Sequence, residues 1–483
     1  MMGAMSRRMG GLLLVLAVGC APAAQPVSTN LGPLDRSVMP EAGPTPEVDF
    51  PEIERRTLSN GLALWIVERP ELPLVTMQLL LEAGAVTDPQ GLDGRASLAA
   101  AMLTEGTSTR TATEIAEEVD FLAANLSAGA GRETAVVSLG TLSRNLEPAL
   151  DLFADVILNP AFRQEDWQRV QDQRLVSLIQ SLDQPTVIAG QEFSRILYGE
   201  EHPYGRTVQG TPESVEAITP EMLREFHAQY YRPEGSNLIV VGDVDADDVV
   251  RRLEAAFAEW RGSPPERPAR QELPPPQPET RIFLIDKPGA AQSEIRIGHI
   301  GVARDHGDYF PLLVMNSILG GQFSSRINLN LREDKGYTYG ASSSFSMGRI
   351  AGPFVAAAGV QTEVTKESII EFMRELEEIR GARPATDEEV EFARTSIIRQ
   401  EPLTLETNSQ IAGRIQDLIV YDLPLDYFDE YTQHIAEVTT EDVNRVAREH
   451  LQPGRFAIVV VGDRATIEAD LRTLPYPVEV VGQ

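Results

Sequence analysis

Two periodicities of apolar residues run through this chain. Alternation of apolar and polar positions marks residues 61–68, 74–82 and 134–141 as strands, while apolar residues three and four apart mark 94–104, 113–125, 146–158 and 164–182 as helices. Thr113 stands where it would cap the second helix, and Asn159 followed by Pro160 ends the third. The pattern recurs later, with strands expected at 281–286, 294–300 and 337–345 and helices at 309–319 and 367–380. Hairpin-like strand pairs mixed with long helices predict an α+β protein, with helices packed on a mixed, largely antiparallel sheet.

An internal repeat settles how many such units there are. Residues 218–243 match residues 438–463 in order and chemistry. Each copy has a capped helix, a break at Pro233 or Pro453, and a buried strand that ends in Gly242-Asp243 or Gly462-Asp463. Between the copies, residues 262–278 carry seven prolines and several charges, the composition of a semi-rigid linker. The expected plan is two homologous α/β sandwich domains, 49–261 and 279–483.

Residues 320–340 carry the candidate chemistry. Gly320, Gly321 and Phe323 lead into a helix expected from Ser325 to Lys335, with Ile327, Leu329 and Leu331 on its apolar side and Gly336 at the C′ position. Tyr337, Thr338 and Tyr339 follow with strand propensity, which would put both tyrosines on one face and Thr338 on the other. A guanidinium offers a planar fork of donors and a phenol one directed donor. Arg332 with a tyrosine of this strand could grip a peptide backbone and steady charge developing on a scissile carbonyl. The ten residues alone favour a solvated helix arginine beside half-buried strand aromatics.

Charge and the N-terminus narrow the function classes. The 483 residues include 42 Lys plus Arg against 72 Asp plus Glu, a formal charge of −30. Such a surface repels a phosphate backbone, so no nucleic-acid partner is expected. Arg7 and Arg8, an apolar run over 11–18 and then Gly19 and Cys20 have the layout of a secretory signal that ends in a lipoprotein processing site. Cys20 is the only cysteine, so no disulfide can form within the chain. No later stretch approaches 18 uninterrupted apolar residues. The expected arrangement is a signal peptide over 1–19, a lipidated flexible tether over 20–48, and a body held in the periplasm by a lipid anchor alone, the outer membrane being the expected site.

Several motifs, weak singly, occur in a telling order: residues 81–86 (Leu-Glu-Ala-Gly-Ala-Val) with 91–94 (Gly-Leu-Asp-Gly), 102–107 (Met-Leu-Thr-Glu-Gly-Thr), 159–162 (Asn-Pro-Ala-Phe), 202–206 (His-Pro-Tyr-Gly-Arg), and 320–326 followed by 331–339. Together they resemble the pitrilysin/insulinase family of zinc peptidases, in its mitochondrial-processing-peptidase-like branch, over nearly all of 50–475. The resemblance implies half of a clam-shell. Active members carry an inverted zinc motif, His-x-x-Glu-His, on the helix after the Gly-x-x-Gly turn. The matching positions here are Ser97, Ala100 and Ala101, so both imidazoles and the base are gone. No Glu occurs between Glu165 and Glu192, where the third ligand would lie, and the six histidines contain no pair at i,i+3 or i,i+4. No metal is expected in this chain.

The resemblance further implies that an Arg and a Tyr seven residues apart contact substrate near a metal held across the chamber, and Arg332 and Tyr339 match that pair. Tyr337, Gly320, Gly321 and Phe323 are expected to line the same surface. Residues 126–131, where active relatives bind substrate along an edge strand, read here as a remnant or a flexible connection. The chain is then expected to be inactive alone and active as the non-catalytic, substrate-binding subunit of a heterodimeric periplasmic peptidase. Its zinc would sit in a homologous partner, and its substrate would be a peptide or unfolded polypeptide. The alternative is a non-proteolytic scaffold or peptide-binding lipoprotein. An enzyme acting alone would lack any nucleophile, base or metal set.

Overall fold

The strands with the strongest apolar character form the middle of two six-stranded sheets. In the first half, β1 (Glu54–Thr57), β2 (Ala63–Glu68) and β3 (Leu74–Leu81) precede helices α1 (Arg95–Ala101) and α2 (Ala112–Phe121). The hairpin β4 (Asn125–Ala130) and β5 (Ala135–Leu142) leads to α3 (Leu146–Leu158), α4 (Gln164–Ser181) and α5 (Pro185–Tyr198). Short α6 (Pro212–Ala217), α7 (Pro220–Tyr230), β6 (Asn237–Gly242) and α8 (Ala246–Ala256) close this half. The computed structural model describes residue 43 and residues 49–267 and 271–482. The expected signal sequence and Cys20 lie outside them, as does the tether apart from Gly43.

The second half repeats the plan. It runs through β7 (Arg281–Asp286), β8 (Gln292–Ile300), α9 (Tyr309–Asn316), α10 (Arg326–Asn328), β9 (Thr338–Phe345) and β10 (Pro353–Gln361). Helices α11 (Thr365–Glu378), α12 (Asp387–Gln400), α13 (Asn408–Val420), α14 (Tyr427–Glu437) and α15 (Thr440–His450) follow, then β11 (Ala457–Gly462), α16 (Arg464–Leu471) and β12 (Val478–Val481). The sheet orders are β1-β2-β6-β3-β5-β4 and β12-β7-β11-β8-β10-β9. In each, the repeated strand (β6 or β11) lies parallel to one neighbour and antiparallel to the other.

The repeat has a physical basis at both ends. Thr219 and Thr439 accept hydrogen bonds from Met222 N and Asp442 N and so cap α7 and α15. Gly242 has φ +146° and lies so close to β3 that an added Cβ would sit 2.1 Å from Leu74 O. No residue with a side chain fits there.

The middle strands are apolar on both faces, and the halves cover these faces for each other. Leu64, Ile66, Leu238 and Val240 point into the core of the first half, while Trp65, Val67, Ile239 and Val241 face Ile411, Ala412 and Ile415 of α13 from the second half. Reciprocally, Phe283, Ile285, Val459 and Val461 pack on Ile188, Phe193 and Leu197 of α5 from the first half. A polar latch accompanies the exchange. Buried Arg349 holds Glu82 with two bonds of 2.9 and 3.0 Å, and its Nε donates to Val420 O at 2.7 Å. The residues from 49 on therefore belong to one compact unit.

Three local expectations need correction. The helix expected at 113–125 runs over Ala112–Phe121, and its cap is Thr111, which forms a reciprocal pair with Glu114. Residues 126–130 are not a flexible connection, since β4 pairs with β5 in regular register and forms an edge of its sheet. Their small side chains carry no periodic signal, and the backbone ladder supplies what the side chains do not. In the expected helix 325–335, Ile327 and Leu331 are buried but Leu329 is 41% exposed. Residues 329–334 form a π-helical turn there, which alters the spacing of side chains around the axis.

Because each sheet relies on the other half's helix, heat should unfold both halves in one calorimetric transition. Phe193→Ala on α5 should lower global stability by about 3–5 kcal/mol, the scale for deleting a buried phenylalanine. Two separate transitions in the native chain would contradict the exchange.

Candidate functional site

Residues 316–345 are positioned by three asparagines that local sequence patterns do not single out. Asn316 donates to Ser343 O (3.0 Å) and accepts from Ser343 Oγ (2.7 Å), which ties the end of α9 to β9. Buried Asn328 donates to Phe323 O (2.6 Å) and accepts from Ala341 N (3.1 Å). Buried Asn330 donates to Glu371 and Glu375 on α11, at 3.0 and 2.8 Å. Each bridges backbone or side chains far apart in sequence, so its role exists only in the folded chain.

The glycines serve packing. Gly320 is buried, and an added Cβ would lie 2.4 Å from Ser343 N, so the turn over 317–321 can approach β9 only without a side chain. Gly321 is exposed. Gly336 takes φ +66°, as a C′ residue should, and Tyr337 N donates to Leu331 O at 2.9 Å. That bond spans one residue more than its α-helical counterpart would from the same cap, because the last turn is π-helical.

The two tyrosines differ in exposure. Tyr337 precedes β9 and is half-buried, whereas Tyr339 is 91% exposed. A bulge sits at Tyr339. Ala358 faces Ala341 but Val360 faces Thr338, so Gly359 stands opposite both Tyr339 and Gly340. Thr338 Oγ1 lies 2.7 Å from Gly359 O and accepts from Gly340 N at 3.1 Å, pinning the bulge. In an unbroken strand Tyr339 would share the parity of buried Ala341 and Ser343 and point inward. The extra residue turns it out, and among the described residues its hydroxyl has no hydrogen-bond partner.

Arg332 is available too. Its guanidinium lies 4.5 Å from the centre of the Phe323 ring, itself 62% exposed, and its ion pair is with the adjacent, exposed Glu333 (3.2 Å). An exposed pair of this kind holds a side chain weakly. The segment thus presents one cation on an aromatic platform and one free phenol.

In the first half, Ser97 and Ala100 are buried on α1 and Ala101 is half-buried. Arg174 of α4 reaches across, donating from Nη2 to Ser97 Oγ at 3.2 Å and from Nη1 to Gln209 O at 2.9 Å.

Residues 65–189 match the family model described as insulinase (peptidase family M16), and residues 217–397 match the one described as the peptidase M16 inactive domain. The chain belongs to the insulinase family. It is 28% identical over 437 residues to an uncharacterised zinc protease of Mycobacterium leprae, spanning 88% of this chain and 94% of that one. An uncharacterised zinc protease of Bacillus subtilis is 26% identical over 403 residues, spanning 82% and 95%. Among solved structures, a peptidase M16 inactive domain from Pseudomonas fluorescens superposes with a TM-score of 0.77 at 29% identity, covering 85% of this chain and 98% of that one. A Helicobacter pylori protease reaches the same TM-score at 22% identity, covering 85% and 99%. The expected clam-shell architecture of two homologous α/β domains holds.

The residues at this insulinase-family chain's zinc-motif positions do not fit a metal. A hydroxyl and two methyl groups supply no imidazole and no carboxylate, and a guanidinium stands against the first position. Asp172 on α4 is exposed and accepts from Gln168 (2.9 Å).

Among the described residues, one group of metal-ligand type does assemble, from His306, Asp308 and His450. Spacing along the chain could not reveal it, because His306 and His450 meet only through the packing of α15 beside α9. Arg445 holds both Asp308 oxygens (2.7 and 3.2 Å), and His450 Nε2 also donates to one of them (2.7 Å). Asp308 N in turn donates to His306 Nδ1 at 3.1 Å. With both oxygens engaged, the group acts as a clamp between the two helices.

The clamp should titrate. Hydrogen bonding from Arg445 first, and then from His450, outweighs burial and holds the Asp308 carboxyl down at about 2, below its ordinary 3.8. A carboxyl depressed on folding stabilises the fold above its ordinary range and loses that contribution as pH falls from about 4 toward 2. Asp308→Asn should therefore lower the urea midpoint at neutral pH and flatten the acid limb of its pH profile.

Proposed function

We propose that this chain is the non-catalytic, substrate-binding subunit of a two-chain zinc peptidase, completed by a separate insulinase-family chain that carries the zinc motif. The observation that carries this reading is Tyr339, which a pinned bulge turns outward with its hydroxyl free, in a chain whose own zinc-motif positions hold Ser97, Ala100 and Ala101. A scaffold has no use for a strand irregularity that exposes a tyrosine at the cost of its burial. The relatives named as zinc proteases and the neighbour named as an inactive domain support the same division of labour.

In the assembled peptidase, Arg332 gives up its exposed contact with Glu333 and holds a backbone carbonyl of the substrate with its planar fork. Tyr339 donates its phenolic O–H as a hydrogen bond to the oxygen on which charge develops; the activated water would be supplied by a metal held in the partner. Phe323 keeps the guanidinium aimed, and the Asn328 and Asn330 bonds hold the segment so that little ordering is left for the reaction. The open edge strand β4 offers a backbone ladder for an extended peptide. With the signal over 1–19 and a lipidated Cys20, the complex works in the periplasm, tethered to the membrane by lipid.

Purified alone, the chain should contain no stoichiometric zinc and hydrolyse no peptide; mixed with a zinc-motif relative from the same cell, it should raise peptide turnover. Tyr339→Phe should lower turnover of the mixture on the order of 10²-fold, the scale of one oxyanion donor. Turnover unchanged by Tyr339→Phe would refute the assignment. Peptide binding without any partner-dependent hydrolysis would identify a non-proteolytic peptide-binding lipoprotein instead.

A further inference from the structure

Arg174 is out of pattern for so acidic a chain. Among the described residues no carboxylate lies within ion-pair distance of its guanidinium, although the chain carries 72 acidic side chains. It is half-buried, and burial alone pulls its pKa below the ordinary arginine value. A cation withdrawn from water without a counter-ion is costly, and an anion brought to it recovers that cost.

The surrounding groups say which anion. Of the five guanidinium N–H donors, one goes to Ser97 Oγ and one to Gln209 O, which leaves donors in a planar fork. The Ser97 hydroxyl, accepting from Arg174, keeps its own proton to give. Ala100 and Ala101 add only methyl groups. The Gln209 carbonyl is already taken by Arg174, so the groups left to a ligand are donors, and a planar fork beside a hydroxyl matches the two oxygens of a carboxylate. The same charge repels a divalent cation, so the site departs from a metal centre in sign as well as in ligands.

We propose that Arg174 and Ser97 form a carboxylate-binding site that takes a carboxylate of the bound peptide. The proposal rests on the reading of this chain as a peptide-binding subunit and adds the chemistry that part of the peptide must have. The carboxylate comes from the peptide's C-terminus or from an acidic side chain.

Calorimetric titration of the full chain with an unstructured peptide, its C-terminal amide, and a version with acidic side chains changed to amides separates the two sources. One of the two neutralisations should weaken binding by roughly tenfold or more, the scale of a charge-assisted pair. In R174Q that discrimination should fall to within about twofold. In S97A, which leaves the guanidinium in place and covers the case in which R174Q does not fold, it should shrink several-fold. Equal binding of all three peptides to the native chain, or full discrimination surviving in both variants, overturns the site. If the site fails in this way while Tyr339→Phe still lowers the partner's turnover, only the carboxylate site is lost. If no peptide binds in any arm, the peptide-binding reading falls with it.

Discussion

Everything in this molecule depends on covering sheet faces that are apolar on both sides. Strands such as β6 and β11, with Leu238, Ile239, Val240 and Val241 or Ile458, Val459, Val460 and Val461 in sequence, cannot leave either face in water. Each half supplies helices for one face of its own sheet and sends a single helix, α5 or α13, to the other sheet. The two helices occupy equivalent places in the repeat. The exchange makes one body of two domains, and the buried Arg349–Glu82 pair then sits at the join with its hydrogen bonds satisfied. Neither helix lies over β4 or β9, which remain sheet edges.

The β9 edge shows how a functional surface is made from irregular backbone. An α-helical turn followed by a regular strand would bury Tyr339 with Ala341 and Ser343. Here a π-helical turn, a left-handed Gly336 and a one-residue bulge succeed one another within twelve residues of chain, and Asn316, Asn328 and Asn330 tie the segment to β9 and α11. Polar satisfaction is the reason this costs little, since the backbone groups disturbed at the bulge are met by Thr338 and those at the helix end by its closing bonds.

The first half shows the reverse process, a site from which one chemistry has been removed. Serine and alanine on α1 leave a small, mostly buried surface with no ligand for a metal, and Arg174 brings a positive charge to its border. A guanidinium cannot activate water or accept a lone pair as a metal does. It can only donate hydrogen bonds to something negative or polar. The change in electrostatic sign separates this half from an active one more sharply than the loss of any single ligand.

By itself the sequence determined the repeat, most of the strands and helices, the family and the loss of the zinc motif, because these rest on local periodicity and on residue types at fixed spacing. The strand at 281–286 and the helices at 146–158 and 164–181 follow their patterns almost to the residue. Residues 126–130 did not announce themselves as a strand, since Ser127, Ala128 and Gly129 carry no alternation and only the ladder with β5 orders them. That α5 belongs to the far sheet, that Leu329 faces water, that Tyr339 lies exposed rather than buried with Ala341 and Ser343, and that Arg174 meets Ser97 were decided by tertiary structure alone. Each depends on groups tens to hundreds of residues apart or on a single-residue shift of register, and the energy of a non-local contact leaves no periodic mark in the chain.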